Sequence, residues 1–139
     1  MKYLGIDLGS KTLGLACGEG KIAFSWKTIR FPEHDFKNAI MQLQNAIKEY
    51  QPNILVFGYP LNMDGTEGLS TKIVLNFIDN FKLIENNDKL SIILQDERRT
   101  TYSSQQILIK NNVSKKKRKQ VKDQLAAAII LQAYFDKIN

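Results

Sequence analysis

One cysteine, Cys17, stands in 139 residues, so no disulfide can close within the chain, and a reducing cytoplasm is the expected setting. Acidic residues are the minority, 14 against 20 Lys and Arg, giving a formal charge of +6 and a pI near 9.4. That imbalance points towards a polyanionic partner. No apolar run approaches the ~20 residues that cross a bilayer, and the start "MKYLGIDLG" has no apolar signal core; no membrane partner is expected. Internal repeats, linkers and low-complexity stretches are also missing, so one domain over residues 1–139 is expected. What is present is ordinary for a folded globule: 43% hydrophobic and 24% charged residues, on a chain long enough to bury a core.

The hydrophobic pattern changes period along the chain. "KYLGIDL", "LGLACGEG" and "IAFSWKTIRF" read as three successive strands, with Gly18-Glu19-Gly20 turning the second into the third and Pro32 ending it. Phe36, Ile40, Leu43, Ile47 and Tyr50 then recur at helical spacing until Pro52. "NILVFG" is a buried strand, and the polar loop "YPLNMDGTEG" follows it. Ile73, Val74, Phe77, Ile78 and Phe81 mark a second helix, "LSIILQDE" another strand, and Thr100 or Thr101 could cap a short helix to about Leu108. From Lys115 to about Lys137 runs a long helix, basic at its start and apolar at its end. Hairpins first and alternation afterwards predict an α/β fold: a mixed five-stranded sheet, three strands in an antiparallel meander plus two parallel strands, flanked by helices. Trp26 and the phenylalanines are expected in its core, and the lone histidine, His34, is assigned no role.

Chemistry concentrates in three places. In "GIDLGSKTLGLA" Asp7 stands among glycines at the end of a strand. A turn-forming aspartate is one reading. A phosphate-binding loop is excluded, because Ser10 replaces its second glycine and a carboxylate inside the cradle would repel phosphate. The remaining reading is a ligand for a hard divalent cation. "QDERRTT" ends the last strand, where Glu97 or Asp96 could join Asp7; neighbours on a strand face opposite ways, so only one should serve. Surface salt bridges are the plainer account of such acid-then-arginine runs. Asp123 is the third acid. It heads a helical line through Ala127, Ile130 and Tyr134, which is expected to set it at the edge of a buried face; a surface acid paired with Lys119 is the alternative. Finally, "KKKRK" at residues 115–119 puts cations at a helix start, the end that the helix dipole makes unfavourable for them. An anion bound there would account for it, with Lys116, Lys117 and Arg118 contacting phosphates.

Taken together, "GIDLGSKTLGLA", "VFGYPLNMDGTEG", "DERRTT" and "KQVKDQLAAAIILQAYF" resemble the YqgF-type family of RNase H-like nucleases, described as pre-16S rRNA nucleases or Holliday junction resolvases. The four segments run in the family's order over nearly the whole chain. The resemblance implies an RNase H-like fold and matches Asp7, Glu97 and Asp123 to the family's acidic positions. It further implies a nuclease using Mg²⁺ or Mn²⁺ at those acids. One ion would orient and deprotonate the attacking water while a second stabilises the leaving 3′-oxygen, and Lys11, Arg98 and Lys122 would hold flanking phosphates. Asp64 or Asp96 could supply a fourth acid. "IDLGSKT" also resembles the first phosphate loop of actin-like and sugar kinases, but those need two such lobes and this chain supplies one. The expected role is maturation of the 5′ end of precursor 16S rRNA in ribosome biogenesis. Cleavage of branched DNA and non-catalytic nucleic-acid binding are the alternatives, and the protein acts as a monomer or homodimer.

Overall fold

A computed structural model describes residues 1–96 and 115–139; within the last helix, side chains are described from Leu125 onward. Tyr3–Leu8 forms β1, Thr12–Gly18 β2 and Ala23–Arg30 β3, each antiparallel to the one before. The tight turn from β1 to β2 closes with Gly9 N–H donating to the Thr12 carbonyl at 2.8 Å, and the next turn uses Gly20 at a φ of 125°. That left-handed backbone suits glycine, which has no Cβ to clash.

Helix α1, Phe36–Tyr50, starts where the Asp35 carboxylate accepts from Asn38 N–H at 3.2 Å. It ends at Gln51, whose left-handed conformation turns the chain into Pro52. Strand β4, Ile54–Tyr59, then lies parallel to β1. Helix α2, Leu69–Ile84, leads to β5, Ser91–Asp96, parallel to β4, and helix α3, Lys115–Ile138, completes the described chain. The sheet order is β3-β2-β1-β4-β5, so β1 is its central strand. The meander with two parallel strands and flanking helices is the expected architecture. The short helix expected near residues 100–108 lies outside the described residues.

Strand alternation divides the core in two. Leu4, Ile6, Leu13, Leu15, Leu55 and Phe57 face α1 and α2. Ala16 and Val56 face α3, through Ala127, Ile130, Leu131 and Phe135. The expected line on α3 is therefore shifted: Leu131 and Phe135 are buried, while Tyr134 is only partly buried at its margin. With 3.6 residues per turn, the core-facing stripe is wider than one i, i+3, i+4 line. Phe24 also departs from expectation. It is 64% exposed on the edge strand β3.

Candidate active site

Alternation places Asp7 on the α3 face of β1, with Tyr3 and Gly5. Gly5 explains how closely the helix lies: a Cβ there would come within 2.8 Å of Leu131 Cβ and 2.9 Å of the Ala127 carbonyl oxygen. Only glycine admits the helix at that distance. Tyr3 packs its ring 5.1 Å from Phe135 and 6.0 Å from Tyr134. Moving up β1 from Tyr3 to Gly5 therefore moves the contact down α3, from residues 134–135 to residues 127–131, and the two elements run antiparallel. A further two-residue step covers about 6.6 Å of strand. It reaches Asp7 on β1 and, at about 1.5 Å per helical residue, the turn before Ala127 on α3. Position 123 belongs to that turn.

The sheet clears space around Asp7. Its partner on β2 is Gly14, and continuing the β1–β4 register by one residue sets Gly58 on its other side. Both are buried, and neither carries a side chain that could cover the half-buried carboxylate. Gly58 in turn pairs with Gln95 on β5. Gly14, Asp7, Gly58 and Gln95 thus form one row on the α3 face, near the ends of the strands. Gln95 Nε2 donates to the Asp96 carbonyl at 3.3 Å, while the buried Oε1 has no hydrogen-bond partner among the described residues. A buried acceptor left unpaired costs on the order of 1–3 kcal/mol.

Two loops rim this end. Lys11 is exposed in the β1–β2 turn, with its carbonyl accepting from Phe31 N–H at 3.0 Å. Residues 60–68 fold back on themselves through the Leu61–Glu67 bridge, closing with Asn62 N–H donating to the Thr66 carbonyl at 2.9 Å. Asp64 accepts from the Thr66 N–H at 2.9 Å and from its hydroxyl at 2.6 Å, so this carboxylate shapes its own turn. Tyr59 donates its hydroxyl to Glu67 at 2.7 Å, and that bond raises the phenol above its ordinary value.

Of the acids singled out from sequence, the structure describes Asp7 on the α3 face of β1 and only the backbone of position 123 within α3, and it turns Asp96 to the α1/α2 face, with Ile92. Glu97 and Arg98 lie outside the described residues, as do the side chains of Lys116, Lys117, Arg118, Lys122 and Asp123. Their backbone in α3 continues from position 123 back to 115, about 12 Å further past the strand ends. Lys11 is at the same end. Among the described residues no three of His, Cys, Asp and Glu converge, and no helix is long and apolar enough to cross a membrane. Gln95 was not singled out from sequence. The signal was available, because Ile93 and Gln95 alternate on β5 as Gly5 and Asp7 do on β1.

The architecture is an RNase H-like fold. Thermus thermophilus RuvC, solved with a Holliday junction substrate, superposes with a TM-score of 0.61 at 12% identity, over 100% of this chain and 97% of that one. A family model described as "RuvX: Holliday junction resolvase" matches residues 1–137, and the chain belongs to that family. A Mycoplasma capricolum protein named "Putative pre-16S rRNA nuclease" is 43% identical over 134 residues, 96% of this chain and 94% of the relative. An Onion yellows phytoplasma protein of the same name is 44% identical over 138 residues, 98% and 89%. The family is one of phosphodiester hydrolases, which separates an enzyme from a purely binding protein.

Proposed function

We propose that this nuclease is a divalent-metal-dependent endonuclease that matures the 5′ end of precursor 16S rRNA, with Asp7, Glu97 and Asp123 as its metal-holding acids. The observation that carries the reading is the clearing around Asp7. A carboxylate on the central strand stands between Gly14 and Gly58, and the antiparallel run of β1 and α3 leads from it towards the helical turn before Ala127, to which position 123 belongs. Rigid backbone on both sides fixes where the carboxylate stands, as a positioned charge requires.

The residues present fit a hard cation. Asp7 offers carboxylate oxygens, Gln95 presents a buried amide oxygen with no partner among the described residues, and neither sulfur nor imidazole stands in the row. Mg²⁺ or Mn²⁺ held there supplies Lewis acidity, lowering the pKa of bound water and stabilising charge on the leaving oxygen. The chain's own part is positioning. Asp7, Glu97 and Asp123 concentrate negative charge at the strand ends, while Lys11, Arg98 and Lys122 draw the flanking phosphates towards it. Lys116, Lys117 and Arg118 extend that attraction along the start of α3. The RNA reading rests on the names of full-length relatives at 43% and 44% identity. Branched DNA is the second reading, favoured by the family description.

An end-labelled assay tests both, using a precursor 16S RNA spanning the 5′ boundary and a four-way DNA junction, each with Mg²⁺, Mn²⁺ or EDTA. Defined RNA cleavage that EDTA abolishes is expected. Cleavage of the junction alone would replace the RNA reading with the second one, and equal cleavage in EDTA would remove the metal.

A further inference from the structure

We propose that Gln95 is a positioning residue of this site, its carboxamide oxygen accepting a hydrogen bond from water on the cation that Asp7 holds. The proposal rests on the metal reading above and adds a residue to it. Three observations converge. Gln95 shares a row with Asp7 on the α3 face, and the one position between them is Gly58. Its oxygen is buried with no hydrogen-bond partner among the described residues. Its orientation is also fixed, because Nε2 donates to the Asp96 carbonyl; a flipped amide would set two acceptors against each other. The oxygen is therefore the group presented to the row, and it requires a donor.

Distance selects the kind of donor. Two strand spacings separate the Cα atoms of Asp7 and Gln95, about 9.6 Å in all. A cation bonded directly to both side chains would hold their oxygens no more than about 4.2 Å apart, twice a Mg–O bond. An intervening water adds about 2.7 Å and brings the span near 7 Å, which the gap over Gly58 accommodates better. Mg²⁺ keeps several of its waters, so such a donor is available at a carboxylate-held ion. The amide oxygen would fix the direction of that water without adding charge. Asp96, the acid next to it in sequence, cannot take this place, because it lies on the other face of β5.

The test measures Mn²⁺ binding to the full chain by calorimetry and by the shift in melting temperature, without nucleic acid. Gln95→Met keeps the side chain's length and removes the acceptor. Its Mn²⁺ affinity should fall about 10- to 100-fold, the range for residues that orient metal ligands through hydrogen bonds. Gln95→Glu keeps an acceptor of the same shape and should hold wild-type affinity or exceed it. Melting in EDTA reports folding separately from binding, and Gln95→Glu carries the decision if Gln95→Met does not fold. Asp7→Asn runs alongside. If Asp7→Asn loses Mn²⁺ while Gln95→Met keeps wild-type affinity, the Gln95 proposal falls and the metal reading stands. A wild-type chain that binds no Mn²⁺ ends both. Loss of affinity in Gln95→Glu equal to that in Gln95→Met would also overturn the proposal, since an acceptor would then not be what matters.

Discussion

Single residues in this protein carry distinct and separable duties. Asp7→Asn removes a charge at constant shape, so cleavage should fall by about 10²–10⁴-fold with the melting temperature little changed; single-turnover rates and thermal melts check both. Gly5 serves packing instead. In Gly5→Ala the new Cβ would press on Leu131 Cβ at 2.8 Å and the Ala127 carbonyl at 2.9 Å, so α3 must move. Overpacking of this kind costs about 1–3 kcal/mol, to be read from the urea midpoint, and activity should fall with it because α3 carries position 123. Cys17 has neither duty. Burial pushes its thiol above the ordinary value of 9.0, partly offset by Lys27 and by a hydrogen bond with Tyr50. The unfolded chain therefore loses this proton first as pH rises, and its contribution to stability, complete below the ordinary value, declines towards the folded one. At pH 8 iodoacetamide should modify Cys17 more slowly in the native protein than in urea; equal rates would show an accessible thiolate.

At the scale of elements, α3 joins two tasks. Its second half packs on the sheet through Ala127, Ile130, Leu131 and Phe135, and its first half carries the basic run past the strand ends. Changing Lys116, Lys117 and Arg118 together to glutamine should weaken RNA binding across sequences. Each lost phosphate contact should reduce the log–log salt slope by about 0.7 on single strands. Unchanged affinity and slope would make the run a solvated face. The elements themselves were legible in sequence because the strands are short apolar runs ended by turn residues, while α1 repeats at 3.6. Less legible was the stripe on α3, where Tyr134 and Phe135 are equally apolar neighbours and only contact with Tyr3 and Gly18 buries the second.

For the molecule as a whole, a sheet covered on both faces needs both layers. Phe135 of α3 is fully buried against the sheet, with its ring on Tyr3 and Gly18, whereas Phe24 is 64% exposed at the β3 edge. Phe135→Ala should cost about 3–5 kcal/mol by chemical denaturation, and Phe24→Ala within about 0.5 kcal/mol of nothing. Similar costs would mean that α3 is a loosely held layer. The comparison also bears on the proposed function, because the row through Asp7 faces α3 and keeps that cover only while α3 stays seated.

The sequence alone determined the order and type of the described elements and the identity of Asp7 as an acid at a strand end, since periodicity and turn residues are local properties of the chain. It also determined the family, through four segments in order. Only the tertiary structure decided which residues share a face across strands. Register between β1, β4 and β5 arises from long-range pairing, and a slip of one residue would exchange every inward and outward side chain. That register clears Gly14 and Gly58 around Asp7, turns Asp96 away and brings Gln95, unremarkable in sequence, into the row.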